Sequence, residues 1–146
     1  EDEKPDVVNI DGGDLGGAIC DILKSRKYRV NEIGFGGKPE DKLWADKGTE
    51  MWAAMRDWLP SGAIDADPLL QSDLISREKR RAGRNDDRIR LESKEEMRDR
   101  GVDSPDDGDA LALTFAVKNV ARRDSHVSRY RTANRVAAGM DYLVFG

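Results

Sequence analysis

One cysteine, one histidine and three each of tryptophan, tyrosine and phenylalanine are spread over 146 residues. A single Cys20 excludes an internal disulfide and suits a reducing compartment. A single His126 excludes zinc sites built on several histidines, and it leaves any Ser-His-Asp or Cys-His arrangement only one base. No stretch approaches the ~20 consecutive apolar residues of a membrane span. The acidic opening Glu1-Asp2-Glu3-Lys4 is the opposite of a signal or transit peptide. Whatever chemistry the chain performs must therefore rest mainly on carboxylates.

Charge is plentiful, at 37% of residues, and the net value of -4 hides an asymmetry. Residues 1–70 carry 9 basic and 15 acidic side chains, whereas residues 71–146 carry 16 and 14. Positive charge concentrates in two segments. Arg77 to Arg90 has seven Lys/Arg against three acids, and Lys118 to Arg135 has six against one. Such patches on an acidic protein can meet a polyanion, or they can be a solvated helix face and a flexible tail. On the first reading Arg77, Lys79, Arg80, Arg81, Arg84 and Arg88 contact a nucleic-acid backbone.

The β-branched run at Val7–Ile10 predicts a buried strand ending at Asp11. The Gly-rich turn after it leads into a helix over Leu15–Arg26, with Asp14 as its cap and Leu15, Ala18, Ile19, Ile22 and Leu23 on one stripe. Tyr28–Phe35 predicts a second strand, which makes the run a βαβ unit with parallel pairing. Apolar residues at three- and four-residue spacing predict a long core-facing helix over Asp41–Leu59. Further helices are predicted over Pro68–Arg81 and Ser93–Arg100, the latter with Ser93 and Glu96 as a capping box. Arg88–Leu91 reads as a short edge strand. Ser104-Pro105 predicts the start of a buried helix reaching Val117. The chain divides into a domain over 1–121 and a basic tail over 122–146.

Two carboxylate clusters stand out. Asp11 ends a strand, in the crevice where open α/β sheets bind ligands. The sequence Asp11-Gly-Gly-Asp-Leu-Gly-Gly17 is neither a dinucleotide fingerprint nor a Walker loop. Its acids favour a cation over a phosphate, although a turn aspartate capping the next helix is an equally direct reading. Asp106 and Asp109 lie three apart on the first turn of a helix. The helix dipole accounts for acids there, but Asp109 has mostly apolar neighbours, where a carboxylate is costly unless paired or metal-bound. Two such clusters are the pieces of a two-metal phosphodiesterase using Mg²⁺ or Mn²⁺. If like charges dominate that site, Asp109→Asn should leave the apo fold as stable as before or more so.

The blocks Val7–Leu23 and Lys94–Phe115 resemble the C-terminal nuclease domain of tailed-phage terminase large subunits, the second block being the more specific. The resemblance covers roughly residues 5–118. It implies an RNase H-like fold, a mixed sheet flanked by helices, and a two-ion endonuclease acting on concatemeric double-stranded DNA during genome packaging. Of the family's acidic triad, Asp11 matches the second member and Asp109 the third. Asp106 matches an auxiliary position. No residue here matches the first-strand aspartate, and the three-strand meander that carries it is not present. The resemblance thus implies an incomplete module, inactive by itself, with an exposed sheet edge that invites self-association. It also implies a phage or prophage protein in the bacterial host cytoplasm. Its partners would be an ATPase motor domain, a portal and a small terminase subunit, with no membrane involved. The reading from a different class is a non-catalytic α/β module that binds a nucleotide or a protein, its carboxylates serving as caps.

Overall fold

The β-branched run in the first block does extend, and it pairs as its Gly-rich connection requires. In the computed structural model, which describes residues 5–13 and 15–118, strand β1 (Val8–Asp11) lies parallel to β2 (Val30–Ile33), with Val8 opposite Val30 and Asp11 opposite Ile33. Helix α1 (Gly16–Ser25) makes the crossover. Asp14 lies outside the described residues, and the position before α1 is Leu15, which makes no side-chain cap.

The face that α1 buries differs from the predicted stripe. Gly16 and Cys20 are buried and Leu23 is half-buried, a row at helical spacing. Leu15, Ile19 and Ile22 are 74%, 46% and 53% exposed. Gly16 determines the choice. A Cβ there would stand 1.8 Å from the Asp11 carbonyl oxygen, so only glycine lets the helix start directly over the strand end.

Helix α2 (Lys47–Trp58) begins six residues later than the predicted start. The Asp46 carboxylate accepts from the Thr49 amide and caps it. The preceding segment is extended, because the Ala45 amide donates to the Ile89 carbonyl and the Ile89 amide donates to the Leu43 carbonyl. Met51, Trp52 and Met55 fill the core together with Leu74, Leu91, Ala112 and Ala116. The tryptophan-bearing helix thus faces the core, as its spacing predicts.

Helix α3 (Pro68–Ser76) starts as predicted, with Asp67 accepting from the amides of Leu69 and Leu70. It stops five residues short of the predicted end. Arg77 is extended, and β3 (Lys79–Gly83) pairs antiparallel with β4 (Asp86–Leu91). The Arg88–Leu91 strand is therefore real but not an edge: β3 lies on one side and the Leu43–Ala45 segment bridges to the other. Helix α4 (Lys94–Asp99) carries the predicted capping box of Ser93 and Glu96.

Helix α5 (Asp106–Leu113) ends at Leu113, short of the predicted Val117. Ser104 does not cap it. Asp73 of α3 does so from a distance, its Oδ2 accepting from the amides of Asp107 and Gly108 at 3.0 Å each. The described residues thus form a small mixed α/β fold of five helices and two separate two-stranded sheets, in place of the single mixed sheet expected. Residues 119–146, with the predicted basic tail and His126, lie outside the described residues.

Candidate carboxylate site on helix α5

Helix α5 sits at the junction of the fold. It packs on α2, α3 and β1, and Asn9 Nδ2 donates to the Leu113 carbonyl at 2.8 Å. The two sequence blocks singled out above, about 100 positions apart, are therefore neighbours in space. Gly108 permits the closest of these contacts. A Cβ there would stand 2.7 Å from the Trp52 ring, so the indole lies directly on the helix backbone.

That placement brings Trp52 Nε1 to Asp109 Oδ1 at 2.8 Å. Arg77 donates to the same oxygen at 2.7 Å. The Arg77 guanidinium lies over the Trp52 ring, 5.1 Å from its centroid, and Nε donates to the Glu92 carbonyl at 3.1 Å. Asp109 and Arg77 are both buried. The other Asp109 oxygen, Oδ2, faces Lys94 Nζ at 3.2 Å. Lys94 also reaches Asp106 Oδ1 at 2.9 Å, and Ser104 Oγ donates to that same oxygen at 2.7 Å.

The electrostatics follow from these contacts. Burial works against the charge of Lys94, but Asp106 and Asp109 outweigh it and raise its pKa above the ordinary lysine value. The Ser104 hydroxyl and Lys94 lower the pKa of Asp106. Burial raises that of Asp73, with the two α5 amides opposing and the nearby Asp107 and Asp106 adding to the rise. The like-charge picture of Asp109 thus gives way to one in which two cations and an indole N–H stabilise its carboxylate. The expected effect of Asp109→Asn on stability changes sign.

Asp11 is placed differently. It is exposed at the end of β1, and its Oδ1 accepts from the Gly13 amide at 3.2 Å. The strand that carries it is joined to α5 through Asn9, but among the described residues no group of three or more His, Cys, Asp or Glu side chains is assembled to hold a metal. The Asp106–Asp109 pair holds a cation of the chain itself, the Lys94 ammonium lying between the two carboxylates.

The basic segment divides into a buried member and a surface group. Arg77 is not available to a phosphate, since its guanidinium is spent on Asp109, Glu92 and Trp52. Lys79, Arg80, Arg81, Arg84 and Arg88 are exposed on the β3–β4 hairpin. Three of them already hold acids: Arg80 with Glu78 and Glu92, Arg81 with Asp87, and Arg88 with Asp86. Lys79 and Arg84 have no acidic partner among the described residues.

Sequence reasoning missed the roles of Arg77 and Lys94, and of Glu92. Glu92 is wholly buried, and the Arg100 guanidinium holds its carboxyl below the usual range against the effect of burial, with the Glu78 amide and Arg80 helping. The signal available for Lys94 was its place inside the block that ends in Asp106 and Asp109. An open cleft of about 520 Å³ lies on the other side of Arg77, lined by the mutually paired Arg90 and Glu96 among others. No family model, curated protein or solved structure matches the chain.

Proposed function

We propose that this chain belongs to a metal-dependent endonuclease module of the terminase large-subunit type, with double-stranded DNA as its substrate. One observation carries the reading: the two blocks that resemble that family pack side by side, the strand ending in Asp11 tied to the helix bearing Asp106 and Asp109 by the Asn9–Leu113 bond. Asp106 and Asp109 would hold the cation, with Asp11 approaching from the strand. A bound Mg²⁺ or Mn²⁺ would supply Lewis-acid stabilisation of the oxygens around a phosphodiester phosphorus. Arg77 and Trp52 fix the Asp109 carboxylate, and the hairpin's Lys79 and Arg84 offer charge to the DNA backbone.

A second reading keeps Asp109 as a structural anchor in a non-catalytic binding module. It is favoured by the commitment of Asp109 Oδ1 to both Arg77 and Trp52. Asp11 separates the two readings cleanly, because it is exposed and its substitution should be structurally silent. Mn²⁺ calorimetry on wild type and Asp11→Asn, beside melting curves, is the test. Binding that weakens in the variant at unchanged melting temperature supports the nuclease reading. Equal Mn²⁺ binding in both proteins, or heat from ATP without metal, supports the second.

A further inference from the structure

Positive charge gathers on the β3–β4 hairpin of a chain whose net charge is -4. Residues 79–88 carry five Lys/Arg against two acids. The root of the hairpin is held firmly. Leu91 is buried, its amide donates to Thr49 Oγ1 at 3.0 Å, and both terminal nitrogens of Arg90 bond the Glu96 carboxylate. Farther out, β3 has no strand beyond β4 among the described residues, and its Lys79, Arg80 and Arg81 are all exposed. The strands are braced toward the tip. Arg81 bonds Asp87 across them at 3.2 Å, and Arg88 takes both oxygens of Asp86. The ladder shifts between Arg81 and Gly83, where β4 holds one residue more than β3. This bulge leaves Asp87 and Arg88 both exposed although they are consecutive.

Two residues form the tip, Arg84 and Asn85, between the paired Gly83 and Asp86. Both are exposed, and neither side chain has a hydrogen bond or an ion pair among the described residues. The turn does not demand these residue types: neither has a positive φ, the usual reason for Asn at such a tip. Their chemistry fits the edges of base pairs. Arg matches the two acceptors of guanine, and Asn the acceptor and donor of adenine, both in the major groove. The hairpin also has the shape for that groove. Its strands lie ~4.8 Å apart, and the five residues of β3 span roughly 16 Å. The major groove of B-form DNA is about 12 Å wide and about 8.5 Å deep, and it admits a two-stranded ribbon. The deep, narrow major groove of A-form RNA does not.

We infer that the β3–β4 hairpin enters the major groove of duplex DNA and that Arg84 and Asn85 contact base edges there. Lys79, which also has no acidic partner among the described residues, meets a phosphate from the other end of β3. The pairs Arg81–Asp87 and Arg88–Asp86 brace the strands behind the tip, so less ordering is left to the moment of binding. The inference rests on the nuclease reading above for its partner. To the backbone contacts proposed there it adds a preference for base sequence, carried by residues that take no part in holding a metal.

Selection from a pool of short randomised DNA duplexes, run on the whole chain in EDTA, tests this apart from any metal. Wild type should enrich sequences that it binds roughly tenfold more tightly than the pool, the discrimination of a single good base contact. Arg84→Ala and Asn85→Ala should each lose that preference. Arg84→Lys, which keeps the charge but not the bidentate fork, should bind the unselected pool within about twofold of wild type and still lose the preference. Lys79→Ala should weaken binding to selected and unselected duplexes alike and lower the salt slope by about one. All three positions are exposed, so melting temperatures should stay unchanged. Absence of DNA binding or of sequence preference in wild type, a preference that survives in the Arg84 and Asn85 variants, or equal binding of duplex RNA overturns the inference. The nuclease reading is judged separately, by Mn²⁺ binding in wild type and Asp11→Asn, and these outcomes leave it standing.

Discussion

The βαβ unit of residues 8–33 and the body formed by residues 40–118 are built on different principles. The βαβ unit relies on backbone pairing and on close approach at Gly16, and it leaves Leu15, Ile19 and Ile22 largely exposed. The body encloses Trp52, Met51, Met55 and Leu74, and it inserts ionised groups among them: Asp109 with Arg77, and Glu92 with Arg100. The ion pairs described above all fall between Arg77 and Asp109. Buried charges depart from the usual arrangement, and they are found in the body, whereas exposed apolar side chains occur in both regions, Leu69 and Ile75 of the body among them. The carboxylates of interest lie where the regions meet, so the body fixes Asp109 while the strand end leaves Asp11 in solvent.

The sharpest way to break this contrast is Asp109→Asn. Removing one partner of a buried ion pair leaves the other uncompensated, and the loss should be about 3 kcal/mol in urea unfolding. Adding Arg77→Met to the same protein should recover part of that loss, since the stranded guanidinium is then gone. A loss well below about 1 kcal/mol would mean that the body is not held by its buried charges.

Acid should come next. The Arg90 guanidinium, bonded to both oxygens of Glu96, together with the Ser93 amide, holds the Glu96 carboxyl down to about 2 from its ordinary 4.5. A depressed folded-state pKa contributes stability above the unfolded value, and that contribution is lost as pH falls through the window from 4.5 to about 2. Glu92 is shifted in the same direction, chiefly by Arg100. Asp73, raised by burial, has the opposite sign and offsets part of the loss. The urea midpoint should therefore fall on acidification, and Glu96→Gln should flatten that fall. Hydrogen exchange should show the body losing protection before the βαβ unit does. Simultaneous loss would join the two regions into one cooperative unit.

The smallest effect should come from the exposed face of α1. Replacing Ile19 and Ile22 with lysine removes apolar surface already in contact with water. Stability should change by less than about 0.5 kcal/mol, as read by thermal melting. A large loss would show that this face is covered in solution.

Short-range chemistry was legible in the sequence, and long-range chemistry was not. The Ser93–Glu96 box, Pro68 at the start of α3 and the parallel strands about a Gly-rich turn all follow from neighbours along the chain. Arg77 looked like one more member of a basic run. Its role comes from Asp109 and Trp52, both distant in sequence, and no local pattern reports them. Strand β3 was hidden for a related reason. Lys79-Arg80-Arg81 has no apolar alternation, so pairing with β4 and the acids Glu78, Glu92 and Asp87 supplies what the pattern lacks. The stripe on α1 misled because its period was correct but the close approach at Gly16 turned another row toward the sheet.

The cap that Asp73 provides for α5 bears on the order in which the molecule assembles. Helix α5 has eight residues, too few to persist in isolation. Its first free amides, at Asp107 and Gly108, are satisfied by a side chain 34 and 35 positions upstream. Such a helix forms only after α3 has been positioned, and contacts of that sequence separation slow folding. During synthesis, α3 is made before α5. The shape of the Asp106–Asp109 turn therefore depends on tertiary contact with α3 and not on its own sequence alone.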